Sequence, residues 1–254
     1  MNLLPTFDLG HLTFGSVSLA LACLLTGYLT SLSMTPPNPN PETKPDVDDR
    51  LRGVLTDRTI RNRRLLYNGL SVYHAVMVLV LAAATAKEPT SASNDGTVLC
   101  PWPENLNRGL LFTWSPYLAI ALGLVCLVGA PLRLAAYGAL GRNFTFHLQK
   151  PSELNTRGLY RYMQHPSYTG NVLVRGGCFV VFLRWDGVMG CWMPPTARAW
   201  LDGFGWTVYV FMLVVMVRAV RGRIVDEEKM LGDKFGDVWV QWHKRTARFV
   251  PGIF

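Results

Sequence analysis

The chain has 254 residues, of which half are hydrophobic and 17% are charged. A soluble globular domain normally has about 25% charged residues, so this composition argues against one and predicts an integral membrane protein. The formal net charge is +8. No basic stretch is interleaved with aromatic residues as in a nucleic-acid-binding groove, so we predict no nucleic-acid partner.

Five apolar stretches are long enough to cross a bilayer, which takes about 20 mostly apolar residues. They lie at about 12–34, 65–86, 110–131, 168–185 and 201–219. No Lys or Arg precedes the first, whereas a signal peptide begins with positive charge, so we interpret it as a retained helix. Residues 132–150 continue the third helix, which we expect to end near Gly141. The sequence therefore predicts an all-α integral membrane protein with about five transmembrane helices.

Lys and Arg residues alternate between the segments that flank these helices. Segments 35–64, 132–167 and 218–254 contain seven, five and eight of them, whereas 1–11, 87–109 and 186–200 contain none, two and one. Because cytosolic segments are enriched in Lys and Arg, this alternation predicts a lumenal N-terminus and a cytosolic C-terminus.

The five cysteines show no CxxC pair and no spacing typical of metal ligands, so we predict no metal site. Cys100 and Cys191 both lie in predicted lumenal loops, where an oxidising compartment permits a disulfide but does not require one. Asn143 and Thr145 belong to a glycosylation sequon. We expect it to stay unmodified, because its segment is predicted to be cytosolic.

The predicted organisation changes at about residue 131. Residues 1–131 hold the first three helices and a basic cytosolic loop, 35–64. Residues 132–254 hold the last two helices and two polar blocks, 142–170 and 218–251. Both blocks lie on the predicted cytosolic face. The polar chemistry of the chain is therefore predicted to concentrate on one face of the membrane.

Each polar block contains one cluster of residues able to bind a ligand. The first block has LYRYMQHPSYTG at 159–170, directly before an apolar stretch. In the second block, Arg223 and Glu227 are four residues apart and share one face of a helix. Both clusters also have structural interpretations. His165-Pro166 can start a helix, since proline is tolerated at the first helical position, and the arginines can anchor a helix end among lipid headgroups.

The two clusters together resemble the isoprenylcysteine carboxyl methyltransferase family. Matching motifs occur in the same order and spacing: Gly158-Leu159-Tyr160 and His165-Pro166-Ser167-Tyr168-Thr169-Gly170 precede one apolar stretch, and Arg223, Glu227-Glu228, Leu231, Phe235-Gly236 and Pro251 follow the next. Upstream, residues 144–149 are similar to the family's approach to the first motif. The resemblance covers roughly 110 C-terminal residues.

This resemblance implies S-adenosylmethionine as methyl donor and the C-terminal carboxylate of a prenylated cysteine as acceptor, in a protein or in a small prenylcysteine. The implied reaction forms a methyl ester at a bilayer, with 132–254 as the catalytic region in which the two polar blocks bind the cofactor. Family habit favours the endoplasmic reticulum. The residues assigned to the cofactor are Gln149, Gly158, Tyr160, His165, Pro166, Tyr168, Gly170, Glu227, Glu228 and Leu231. Those assigned to catalysis are Arg223, Glu227 and Arg218, with one of the arginines binding the acceptor carboxylate.

Three features depart from the family pattern. Gln164 stands where the family usually has Arg. Trp239 and Trp242 replace tyrosines, which removes any hydrogen bonds that the hydroxyls made. Arg175 lies inside the fourth predicted helix, where the family has apolar residues, and it either faces a cavity or extends toward the headgroups.

Other functions stay open on the sequence alone. The main alternative is a membrane methyltransferase acting on a phospholipid headgroup amine or another lipophilic acceptor. It would need a base beside the acceptor, for which Glu227 or His147 is available. A sterol reductase has a similar C-terminal pattern but about twice as many transmembrane helices. A membrane scaffold that has lost activity is the non-enzymatic alternative.

Overall fold

The structure, a computed structural model, describes residues 12–39, 53, 55–84 and 98–252. These residues form helices and loops, and the only β contact among them is an isolated bridge between Met163 and Ala247. The predicted all-α fold is therefore confirmed. Residues 1–11 and parts of the predicted loops 35–64 and 87–109 lie outside the described residues.

The described part of the chain contains eight α-helices joined by loops and short helical turns. They are α1 (Phe14–Ser33), α2 (Asp57–Ala84), α3 (Arg108–Leu111), α4 (Pro116–Gly123), α5 (Ala130–Leu140), α6 (Pro166–Phe182), α7 (Pro195–Phe235) and α8 (Asp237–Arg245). A π-helical stretch, Leu124–Gly129, joins α4 to α5. Turns of 3-10 helix lie at Pro103–Asn105, Gly141–Asn143, Gly158–Arg161 and Val188–Trp192.

Four of the predicted membrane spans form long apolar helices. Within the described ranges, Phe14–Ser33, Asp57–Ala84, Arg108–Asn143 and Pro195–Phe235 are long and apolar enough to cross a membrane. These helices confirm the prediction of an integral membrane protein. The fourth predicted span forms α6, which has 17 residues and is shorter than the roughly 20 that a span usually takes. The count of five spans therefore stays a prediction.

Helix α5 ends where the sequence predicted. Its last residue is Leu140, and Gly141 follows with a φ of 50°. This left-handed conformation is accessible to glycine without steric penalty, and it commonly terminates a helix. The chain then turns into the first polar block.

The chain divides into two compact units. Unit 1 comprises the described parts of Met1–Leu29, Leu65–Cys126 and Gly176–Trp206, and unit 2 those of Thr30–Arg64, Leu127–Arg175 and Thr207–Phe254. Four helices, α1, α2, α6 and α7, contribute residues to both units. Both polar blocks belong to unit 2.

Unit 1 contains a disulfide between Cys100 and Cys191, a bond that the sequence permitted without requiring. Beside it, the amide of Asn105 donates to two backbone oxygens of the facing loop at 3.0 and 2.8 Å. The same loop is held by Arg184, which donates two hydrogen bonds of 2.6 Å to Asp186. Burial alone would raise the pKa of Asp186, but Arg184 holds it below its usual value. These contacts fix the loop between α6 and α7.

In unit 2, α6 crosses the start of α5 at backbone contact. A Cβ added at Gly170 would lie 2.7 Å from the carbonyl oxygen of Gly129 and 2.8 Å from the backbone nitrogen of Arg133. Such distances are shorter than any ordinary van der Waals contact, so only glycine allows this crossing. The first turn of α6 is thereby held directly beside α5.

Candidate active site

Tyr168, on the first turn of α6, links that helix to α7. Its hydroxyl donates to Glu227 Oε2 at 2.7 Å and accepts from Arg223 Nε at 3.0 Å. Arg223 Nη2 also donates to the backbone oxygen of Phe146. Arg223 and Glu227 reach the same phenol because they lie one turn apart on α7. The structure thus brings together three residues that the sequence assigned to one site.

Glu228 lies about 100° further round α7 and has a different pair of partners. Its Oε1 accepts from His165 Nε2 at 3.1 Å, and its Oε2 accepts from Arg248 Nη2 at 2.8 Å. His165 is only 3% exposed. Its Nδ1 is buried and has no hydrogen-bond partner among the described residues. Since Nε2 donates to the carboxylate, Nδ1 is available to a ligand.

Arg133, on α5, is a buried cation that the sequence indicated only as part of a basic segment. It is 8% exposed and forms no ion pair with any described carboxylate. Its Nε donates to the backbone oxygen of Ser33 at 2.6 Å, and its Nη1 donates to the backbone and hydroxyl oxygens of Ser167 at 2.9 and 3.1 Å. A buried charge without a counter-ion is costly. Arg133 therefore marks a place where an anion would be stabilised. Its partner Ser167 directly precedes Tyr168 on α6.

Three further predicted residues are buried near this cluster. Pro166 occupies the first position of α6, and Leu231 is buried on α7 one turn beyond Glu227. The backbone oxygen of Tyr160 accepts from Trp242 Nε1 at 3.0 Å. Burial raises the pKa of the Tyr160 phenol well above its usual value, so this phenol stays protonated at neutral pH.

The remaining predicted residues lie at the surface. Gly158 has a φ of 57° and starts a 3-10 turn. It lines an open polar cavity of about 380 Å³ together with Asn143 and Arg157. Gln149 and Arg218 are exposed, and neither makes a side-chain hydrogen bond or ion pair within the described ranges. The structure does not bring these two into the buried cluster.

The two tryptophans that replace family tyrosines behave differently. Trp242 donates its indole N–H to the backbone of Tyr160, so a hydrogen bond is made there despite the missing hydroxyl. Trp239 stacks on the His243 ring with centroids 4.5 Å apart. The indole N–H of Trp239 has no partner in the described part of the chain. Arg175 is half-buried and has no ion-pair partner there either.

These features define a helical integral membrane protein with a buried cluster of ionisable side chains, held by α5, α6, α7 and the segment that follows α8. Residues 120–191 match the sequence profile of the isoprenylcysteine carboxyl methyltransferase (ICMT) family. That range includes the first polar block and ends before the second. The resemblance predicted from the motifs is thus confirmed.

The chain is also similar to three protein-S-isoprenylcysteine O-methyltransferases. It is 31% identical to the Dictyostelium discoideum protein over 137 residues, which is 52% of this chain and 49% of the relative. It is 32% identical to the Schizosaccharomyces pombe (strain 972 / ATCC 24843) protein over 146 residues, 56% of this chain and 52% of the relative. It is 30% identical to form A from Arabidopsis thaliana over 134 residues, 51% of this chain and 57% of the relative.

The chain therefore spans about half the length of the curated relatives it matches. No solved structure matches it with comparable significance.

Proposed function

We propose that this protein transfers a methyl group from S-adenosylmethionine to the C-terminal carboxylate of a prenylated cysteine, forming a methyl ester at the membrane. The acceptor is the C-terminus of a prenylated protein or a small prenylcysteine. Two kinds of observation support the proposal: the similarity to named isoprenylcysteine methyltransferases, and the chemistry of the cluster in unit 2.

The buried guanidinium of Arg133 is the main structural reason to propose a carboxylate as the acceptor. Its guanidinium is buried without a described carboxylate partner. Because Nε and Nη1 already donate to Ser33 and Ser167, a carboxylate would bind to Nη2 through a charge-assisted hydrogen bond. We assign Arg133 to the acceptor carboxylate. Arg223, which donates to the Tyr168 hydroxyl, keeps its proposed catalytic role. The assignment of Arg218 to the same carboxylate stays a prediction.

The residues of the cluster fit S-adenosylmethionine, which presents an ammonium, a carboxylate and ribose hydroxyls. His165 offers a buried Nδ1 without a partner among the described residues. Glu227 uses only Oε2 in its bond to Tyr168, so its second oxygen can accept from an ammonium or a hydroxyl. We propose that these residues hold the cofactor, flanked by Tyr160, Pro166, Gly170, Glu228 and Leu231. The assignment of Gln149 and Gly158, which lie at the surface, stays a prediction.

Bound there, S-adenosylmethionine would supply a methyl group on a sulfonium sulfur, which would leave as the neutral thioether when the acceptor oxygen takes the methyl group. The acceptor carboxyl has a pKa of about 3.5 and is already ionised at neutral pH. The protein therefore needs no general base. Its residues act by orientation and by keeping water out: Arg133 aligns the carboxylate, and Tyr168 fixes Glu227.

The same cluster disfavours a phospholipid amine as acceptor. An amine becomes a nucleophile only after losing a proton, so it needs a free base beside it. Glu227 Oε2 already accepts a hydrogen bond from the Tyr168 hydroxyl, which in turn accepts from Arg223 Nε, so this oxygen is not free to take a proton from an amine. The buried charge of Arg133 would also repel an ammonium headgroup. A carboxylate acceptor suits both features better.

We further propose that the protein resides in the endoplasmic reticulum, with a lumenal N-terminus and a cytosolic C-terminus. The alternation of Lys and Arg supports this orientation. The disulfide between Cys100 and Cys191 also supports it, because disulfides persist in the lumen and are rare in the cytosol. The proposed site in unit 2 then faces the compartment that supplies S-adenosylmethionine.

Membranes containing the protein are expected to transfer labelled methyl from S-adenosylmethionine to N-acetyl-S-farnesylcysteine as a base-labile ester. The His165→Ala and Glu227→Ala variants should lose this activity, because each removes a proposed cofactor contact. Gln241→Ala, an exposed change on α8, is the control and should retain it. If no ester forms although the donor binds, the acceptor is wrong and phosphatidylethanolamine is tested next. If the donor does not bind, the resemblance describes only a fold.

The orientation has its own test. Gly96→Thr converts the segment beginning at Asn94 into a glycosylation sequon in the predicted lumenal loop. We expect this variant alone to gain a glycan, seen as a gel shift that an endoglycosidase removes, with Gly96→Ala as the matched control. Glycosylation of the unaltered protein at Asn143 would contradict the proposed orientation.

A further inference from the structure

The segment that follows α8 lies alongside the residues just before α6. Backbone nitrogens of Gln164 and His165 donate to the backbone oxygens of Ala247 and Arg248 at 2.8 and 3.0 Å. The same segment carries the Arg248 guanidinium, which binds Glu228. The position of this segment therefore determines how one carboxylate of the cluster is held.

The side chain of Gln164 fixes this arrangement through all its polar atoms. It is 4% exposed. Its Nε2 donates to the backbone oxygens of His243 and Thr246 at 3.0 and 2.5 Å, and its Oε1 lies 2.8 Å from His243 Nδ1. Carbonyl oxygens only accept, so the amide can point only one way, and His243 Nδ1 must carry the proton that Oε1 accepts. Burial lowers the pKa of His243, which keeps this ring neutral at neutral pH.

We propose that Gln164 is a positioning residue for the cofactor site. By binding the last turn of α8, it places Arg248 on one oxygen of Glu228 and leaves the other oxygen to His165. The bond to Glu228 in turn fixes the orientation of the His165 ring, so that its buried Nδ1 is presented to the ligand. This inference rests on the proposed function, because the ligand in question is S-adenosylmethionine.

Gln164 is also matched to its partner in a way that an arginine is not. An arginine could donate to the same two carbonyl oxygens, but it has no acceptor, so His243 would have to move its proton from Nδ1 to Nε2. It would also add a second permanent positive charge near His243, which already experiences that of Arg248. A neutral amide at position 164 thus satisfies every partner.

The test compares the unaltered protein with Gln164→Glu, Gln164→Arg and Gln241→Glu. Gln164→Glu keeps the shape but loses both donors and faces two carbonyl oxygens with a carboxylate. We expect it to raise the KM for S-adenosylmethionine roughly tenfold while kcat falls less, since about 1.4 kcal/mol of lost hydrogen bonding corresponds to a factor of ten. Gln164→Arg should give a smaller increase. Gln241→Glu adds the same charge at an exposed position of α8 and should change neither constant.

A second readout does not depend on catalysis. Backbone amides in peptide 243–249 should exchange hydrogen faster in Gln164→Glu than in Gln241→Glu, because the segment is released. A fall in kcat at unchanged KM, or exchange equal in the two variants, would overturn the proposal. An inactive unaltered protein would contradict the proposed function instead, and hydrogen exchange would then still decide whether Gln164 holds the segment.

Discussion

Arg133→Met is expected to reduce kcat/KM of the proposed methyl transfer to N-acetyl-S-farnesylcysteine by roughly 100-fold. Removing one partner of a buried, hydrogen-bonded charge pair costs about 2–5 kcal/mol. Arg133→Lys keeps the charge, but its single nitrogen cannot bind Ser33, Ser167 and a carboxylate together as the three guanidinium nitrogens can, so a loss of roughly tenfold is expected. Steady-state kinetics with each substrate varied in turn would measure both effects.

The design separates a binding role of Arg133 from a structural one. Arg221→Met removes an exposed arginine of α7 and should leave kcat/KM unchanged. Because Arg133 also bonds Ser33 and Ser167, the thermal midpoint of each variant must be recorded alongside the kinetics. An increase confined to the KM for S-adenosylmethionine would reassign Arg133 to the donor. Unaltered kinetics in Arg133→Met would refute its assignment to the site.

Gly170→Ala is expected to destabilise the protein by about 1–3 kcal/mol, the usual range for overpacking a close contact. The added methyl would meet the carbonyl oxygen of Gly129 at 2.7 Å, and backbone cannot move aside as a flexible side chain can. The first turn of α6 must then shift away from α5. Methyl transfer should fall as well, since Tyr168 moves with that turn.

Gly176→Ala is the matched control on the same helix. A Cβ at Gly176 would meet nothing within 4 Å, and alanine is favoured over glycine inside a helix by about 1 kcal/mol. The two substitutions should therefore shift the thermal midpoint in opposite directions. If both stabilise, the crossing at Gly170 is looser than described. If Gly170→Ala weakens only cofactor binding, its role is contact with ligand, as the sequence alone suggested.

Short-range sequence patterns predicted the features that depend on residues close together in the chain. Hydropathy located the long helices, a glycine located the end of α5, and a spacing of four placed Arg223 and Glu227 on one face. The paired motifs also indicated that the start of α6 would meet α7. Those contacts follow from helix periodicity and from recognition of a family pattern.

The contacts that complete the cluster could not be read in this way. Arg133 was counted among topology-determining charges, since the sequence does not reveal that its segment is buried. The bond of Gln164 to His243 joins residues 79 apart, and no short-range pattern encodes such a pairing. The contact of Arg248 with Glu228 could not be predicted either, because Arg248 lies in the loop segment after α8 and no helix periodicity relates it to Glu228.

Helix α7 runs without interruption through 41 residues, a length of about 60 Å at 1.5 Å per residue. The hydrocarbon core of a bilayer is only about 30 Å thick, so much of this rod extends beyond it and carries Glu227 and Glu228. Hydrophobic mismatch changes the tilt of a membrane helix, and an unbroken helix transmits that tilt along its length. We therefore expect bilayer thickness to influence the positions of these two carboxylates. Reconstitution in bilayers of graded acyl-chain length would expose this dependence.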